Sequence, residues 1–207
     1  MSELTYSCSC GQVTGTLSEA APDKGTRVCC YCTDCQAFEE FLGKSDEVLN
    51  EKGGADIYQT LPHRMSFLTG TEHLKAVRMT DGRLVRWYAG CCNTPIGSTA
   101  DTPDMPIIGF LAHPFLRANG ELADHAFGQT RGALFGKEAW SPPEGKKASL
   151  PGMVLTFMAR VIGARLSGKT GPNPFFDEAK QPLAEPRLIS PEERAEIDAR
   201  LKARHAA

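Results

Sequence analysis

The stretch Cys30-Tyr31-Cys32-Thr33-Asp34-Cys35 (CYCTDC) packs three thiols into six residues. Thiols one and two residues apart on a tight turn can converge on one metal ion, and binding keeps them deprotonated at neutral pH. Outward from this stretch lie Cys8-Ser9-Cys10-Gly11 on one side and Ala89-Gly90-Cys91-Cys92-Asn93-Thr94-Pro95 on the other. With Cys29 these hold all 8 cysteines of the chain, and none follows Cys92. A disulfide framework would pin a whole small chain, whereas three tight clusters read as metal knuckles.

The count of sulfurs sets the chemistry. Zinc binds thiolates tetrahedrally, with sulfur about 2.3 Å from the ion. Four sulfurs close a structural site, and three leave a position for water or substrate. Cys30, Cys32 and Cys35 make one three-sulfur group. Cys8 and Cys10 need two more partners, which Cys91 and Cys92 can supply. Cys29 is left over, and as the strand neighbour of Cys30 it should face away from the metal. A single two-centre cluster is a less economical arrangement, and a metal-free, redox-active thiol cluster is a third.

Around the cysteines the chain reads as β-rich through about residue 128. Residues 4–17 give two short strands around the Cys8–Gly11 turn, and 26–32 a strand entering a metal loop. Residues 33–43 give a short helix with Asp34 as a cap and Gly43 as its end. Strands follow at 55–61, 64–70, 74–80 and 83–89, the last pair joined by the Asp81-Gly82 turn, with two short strands after them. Trp87 and Tyr88 read as core, and the five histidines show no metal spacing.

The character changes after that. A Pro/Gly/Lys connection at 141–152 leads to a helix at 152–169, whose Val154, Leu155, Met158, Val161, Ile162 and Leu166 share a face expected to pack on the β domain. Residues 170–187 read as an extended segment over the body. A helix at 190–205 opens with a Ser190 cap, Pro191 at the first turn and Glu193 completing a capping box. The expected division is a zinc-binding domain at 1–130 and a helical extension at 131–207.

Composition narrows the function classes. Hydrophobic residues are 41% and charged residues 23% of the 207, which suits a packed core. A formal net charge of −2 gives no nucleic-acid footprint. No apolar run of about 18 residues is present to cross a membrane. The polar N-terminus does not read as a signal peptide, so the expected compartment is the cytoplasm.

The ordered pattern CSCG (8–11), CYCTDC (30–35) and AGCCNTP (89–95) resembles the glutathione-dependent formaldehyde-activating enzymes, whose domain is shared with centromere protein V. The resemblance spans roughly residues 4 to 128. It implies a mainly β architecture, a β-tent of small antiparallel sheets stapled by zinc. It also implies one structural zinc on the first and third motifs and a second, labile zinc on the middle one. Aligned on Thr94-Pro95, Cys92 takes the place of the family's second cysteine, Ala89 that of the first, and Asn93 that of a glycine. Cys91 is then the stand-in ligand. Neighbouring side chains in an extended segment point opposite ways, so both sulfurs reach one ion only if the loop kinks. Asn93 suits a kink, because Asn tolerates left-handed backbone.

The implied activity is carbon–sulfur lyase chemistry. A small thiol such as glutathione would bind at Cys30, Cys32 and Cys35 and add to, or leave, an aldehyde such as formaldehyde. The metal ligands are then Cys8, Cys10, Cys91 and Cys92 for the structural ion and Cys30, Cys32 and Cys35 for the catalytic one. Two other classes stand beside this reading: a non-catalytic zinc-stabilised binding module, and a thiol-based redox or metal sensor. No acid/base dyad is legible in the sequence.

Overall fold

The computed structural model describes residues 2–168 and 171–206. Strands β1 (Ser2–Ser7) and β2 (Thr14–Ala20) flank the Cys8–Gly11 turn as expected. Gly11 takes φ +77°, a left-handed value that closes the turn without a Cβ penalty. Strand β3 (Thr26–Cys30) runs into the cysteine loop, and helix α1 (Thr33–Leu42) follows it. Helix α2 (Ser45–Val48), strands β4 (Ala55–Thr60), β5 (Met65–Thr69), β6 (Leu74–Arg78), β7 (Leu84–Ala89), β8 (Thr94–Ala100) and β9 (Ile108–Leu111) come next. Helices α3 (Ala112–Asn119) and α4 (Glu121–Phe127), strand β10 (Ala133–Leu134), helix α5 (Leu150–Leu166), strand β11 (Arg187–Leu188) and helix α6 (Pro191–Ala206) complete the order.

The strands form two sheets among the described residues. One is antiparallel, in the order β1-β2-β5. The other runs β10-β3-β4-β9-β8-β7-β6-β11, antiparallel inside and parallel only at its two-residue edges. Among the described residues, eleven strands and six α-helices make the architecture mixed and β-rich. The helices at 112–127 were not expected: this segment read as the end of a strand-rich region. Phe115, Ala123 and Phe127, each at most 2% exposed, give these helices a buried face. Gly120, at φ +56°, separates two helices too short to show a long period.

Segments beyond residue 130 enter the same body. β10 and β11 extend the larger sheet at its two ends. Phe175 and Phe176 lie in the main core, with the Phe175 ring 4.9 Å from that of Trp87. Trp87 is buried, as expected, and its Nε1 donates to Thr99 Oγ1 at 2.9 Å. The expected helix end at 169 and segment start at 170 lie outside the described residues.

Helix α5 corrects the expected packing. Its buried residues are Phe157, Val161 and Ala164, which cluster with Leu61. Val154, Leu155, Met158, Ile162 and Leu166 are exposed, Leu155 by 73% and Leu166 by 85%. Only Val161 of the predicted stripe faces inward. Arg160 helps set this rotation, donating to Thr26 Oγ1 at 2.7 Å and to the Gly25 carbonyl at 2.6 Å.

Helix α6 lies on α1. Ser190 Oγ accepts from the Glu193 backbone N–H at 3.2 Å, as the capping signal predicts. Ile197 and Leu201 bury against the cluster that includes Cys30, Cys35, Phe38 and Leu42. Arg200 and Arg204 both reach Glu40 of α1, at 3.0 and 2.9 Å. No described helix is long and apolar enough to cross a membrane.

Candidate metal centres

The turn between β1 and β2 and the turn between β7 and β8 bring four sulfurs together. Those of Cys8, Cys10, Cys91 and Cys92 all lie within 4.8 Å of one another. Cys8 is 3.6 Å from Cys10 and 3.8 Å from Cys91, and Cys91 is 3.8 Å from Cys92. Cys10 and Cys91 stand closer, at 3.3 Å; sulfurs about 2.3 Å from a tetrahedral ion stand about 3.8 Å apart, so the four thiols could hold one metal ion. The adjacent pair lies in a turn at 90–93 and not in an extended segment, so both sulfurs reach one centre, and Asn93 at the end of that turn takes φ +54°. The loop kinks where the sequence placed the kink.

Thr94, missed by the sequence reading, ties the two turns together. Its buried hydroxyl accepts from the Ser9 N–H at 2.8 Å and lies 3.1 Å from Cys92 Sγ. Burial pushes the Cys92 thiol up, but hydrogen bonds from Thr94 and from Cys10 outweigh it and hold Cys92 down at about 6. Burial raises Cys91, so Cys92 is the more readily ionised of the adjacent pair.

The second group is Cys30, Cys32 and Cys35, also within 4.8 Å of one another. Cys30 and Cys32 are 3.5 Å apart. Among the described residues no further His, Cys, Asp or Glu joins the three. Cys30 ends β3, and Cys32 caps α1, its sulfur accepting from the Cys35 N–H at 3.4 Å. The cap was expected to be Asp34. That carboxylate turns outward instead and accepts from Arg194 of α6 at 2.7 Å. Gly43 ends the helix in the left-handed conformation, as expected.

The surroundings hold the loop from both sides. Glu138 accepts from the Thr33 N–H at 2.8 Å, and Gln36 Nε2 donates to the Tyr31 and Glu138 carbonyls. Cys29 faces away from the group, toward Asn50, whose Nδ2 donates to its sulfur at 3.3 Å. A cavity of about 300 Å³ opens between α1 and α6, lined by Thr33, Gln36, Glu138, Trp140, Arg194 and His205 among others. Thr33 and Gln36 directly follow Cys32 and Cys35 in the chain.

Two charged residues beneath this group carry no motif. Arg86 of β7 is 3% exposed, and its Nη1 is 3.6 Å from Cys35 Sγ and 3.4 Å from Ser98 Oγ. Its guanidinium stands over the Phe38 ring at 5.5 Å. Glu39 is 1% exposed, and burial pushes its carboxyl well above the usual range, toward the neutral form. The Cys35 thiol is held well below its ordinary value, first by the Cys30 and Cys32 thiols and then by Arg86. The strand pattern offers a signal for Arg86, a cation inside the apolar run Val85–Trp87. Glu39 falls four residues after Cys35, on the same helix face.

Comparison with known proteins places the chain in a family and supplies no activity. Residues 1–187 match the model of a family described as "Family of unknown function (DUF6151)", and the chain belongs to it. No curated protein matches. The crystal structure of a protein from Rhodobacter sphaeroides is similar over 63% of this chain and 100% of its own, with a TM-score of 0.42 and 14% identity. A likeness that distant carries no functional argument.

Proposed function

We propose that this member of the family binds zinc at both cysteine groups, with different consequences. The four-sulfur group is a closed site that holds the fold. The three-sulfur group binds a small thiol such as glutathione and supports its addition to, or release from, an aldehyde such as formaldehyde. The observation that carries this reading is the absence of a fourth metal-binding side chain beside Cys30, Cys32 and Cys35 among the described residues. Three ligands with an open position are the pattern of catalytic zinc, and four are that of structural zinc. The motif resemblance to glutathione-dependent formaldehyde-activating enzymes supplies the thiol and aldehyde as the reference pair.

The residues would divide the work. Cys30, Cys32 and Cys35 would hold the ion, whose Lewis acidity favours the deprotonated form of a thiol. Glu138 and Gln36 fix the loop, and both also line the cavity between α1 and α6. In the addition, a sulfur lone pair forms the carbon–sulfur bond and the carbonyl π pair moves to oxygen. That oxygen takes up a proton while the thiol has released one, so the reaction is redox-neutral. Positioning of the two reactants is the main contribution asked of the protein.

A metal count on protein purified without chelator tests the reading, together with calorimetric titration of glutathione. Two zinc ions per chain, one removed readily by chelator along with glutathione binding, are expected. One ion per chain in the intact protein would overturn it. Two equally resistant ions without thiol binding would favour a zinc-stabilised binding module. Reversible disulfides among Cys29, Cys30, Cys32 and Cys35 in place of the second ion would favour a redox sensor.

A further inference from the structure

Arg86 raises a problem that the cysteines solve. A guanidinium stays charged in a protein, and burying one without a counter-charge is costly. Yet among the described residues no carboxylate forms an ion pair with Arg86. Asp34, the nearest acid in the loop sequence, is taken by Arg194. Glu39 is buried beside the group, but its Oε2 has no hydrogen-bond partner and it forms no ion pair with Arg86. Besides the neutral Ser98 hydroxyl and the Phe38 ring, Arg86 touches Cys35 Sγ, at 3.6 Å. Its counter-charge is therefore the thiolate group itself.

The charge count then bears on what the open position accepts. A divalent ion with three thiolates carries one net negative charge. A fourth, anionic ligand would bring this to two, inside a site where Cys30 and Cys35 are buried and Cys32 partly so, and water screens it poorly. The other group has no such need, because Cys10 is exposed and Cys91 and Cys92 are partly so. We infer that Arg86 is the specificity-determining residue of the three-cysteine site: its buried positive charge lets the open position take an anionic thiolate in preference to a neutral ligand. This rests on the proposed metal binding at that site.

The size of the effect follows from Coulomb's law. A unit charge some 6 Å from a guanidinium, at an effective dielectric near 20, gains roughly a hundredfold in binding that a neutral ligand does not. The test uses full-length protein loaded with cobalt(II), whose visible spectrum reports its ligands. 2-Mercaptoethanol and imidazole are titrated into the native protein, Arg86→Met and Arg86→Lys. The ratio of their affinities should fall by roughly a hundredfold in Arg86→Met and stay within about tenfold of native in Arg86→Lys. Met approximates the length of the side chain, and replacing a buried charge with an apolar group is often tolerated. If Arg86→Met does not fold, Arg86→Gln takes its place, with retention of cobalt at the four-cysteine group as the control. An unchanged ratio in the neutral variant would overturn the inference, as would an equal fall in Arg86→Lys. A native protein whose spectrum ignores both ligands would instead sink the proposed function, so the two failures are distinguishable.

Discussion

Arg194 in α6 donates to Asp34 between Cys32 and Cys35 at 2.7 Å, joining residues 160 positions apart. Its Nε also pairs with Asp198 of its own helix, at 3.0 Å. The loop that carries three thiols is thus braced by the last helix of the fold. Arg194→Ala should leave the four-cysteine group intact and speed chelator removal of metal from the three-cysteine group by about tenfold, the scale of outer-shell effects on metal sites. A chromogenic chelator resolves the two release phases, and an unchanged fast phase would refute the coupling.

Cys8 and Cys32 should behave differently when cut to serine. Cys8 is buried where the β1–β2 and β7–β8 turns meet, and its sulfur accepts from the Val13 N–H at 3.2 Å. Cys8→Ser should abolish the cooperative thermal transition or lower its midpoint by more than 10 °C, given that about 1 kcal/mol moves a domain of this size by some 2–4 °C. Cys32→Ser should keep a cooperative transition and lose one metal ion. Equal loss of structure in both variants would make the second site structural.

Asn93 sits at φ +54° on an exposed loop, so its backbone, more than its side chain, is what the kink needs. Asn93→Gly should be neutral or slightly stabilising. Asn93→Val should cost about 1–2 kcal/mol, the penalty of a left-handed conformation for an ordinary residue, and weaken metal retention at Cys91 and Cys92. Denaturant melts with metal counts measure both.

On α5 the two faces should answer differently to substitution. Phe157→Ala should destabilise by roughly 2–3 kcal/mol, somewhat below a full core truncation because its cluster is small. Leu155→Ser should stay within about 0.5 kcal/mol of the parent. The reverse order in urea unfolding would mean that the helix is rotated.

Asp124 gives a pH signature. Arg27 bonds its carboxylate at 2.7 Å and holds it below the usual range. A depressed carboxylate stabilises the fold above its unfolded value, near pH 3.9, and loses that contribution as pH falls through its folded value. Asp124→Asn should therefore cost a few tenths of a kcal/mol at pH 7, as exposed pairs do, and nothing near pH 2. Paired urea melts at the two pH values read the difference.

The cysteine groups were legible because ligand spacing is local, and the kink at Asn93 because left-handed backbone has a short list of residues. The strands were legible from alternation and turn signals. Helices α3 and α4 were not, since each has only about two turns in which to show a period. The packed face of α5 was hidden for another reason. The helix carries apolar residues nearly all round, so the stripe through Leu155 and Ile162 was one choice among several, and Phe157 and Arg160 decided it. Arg86 and Glu39 belong to no motif. Only tertiary packing brings the strand residue beneath the sulfur of Cys35.

The four-cysteine group also bears on the unfolded chain. Cys8 and Cys91 are 83 positions apart, and their sulfurs stand 3.8 Å apart. An ion held there is a removable cross-link across most of the β-rich region. Closing a loop of that length takes from the unfolded ensemble an entropy worth about 4.5 kcal/mol at 25 °C in the chain-entropy model. That is comparable to the whole net stability of a modest domain. If that ion is the zinc proposed above, its supply would set the balance between folded and unfolded chains.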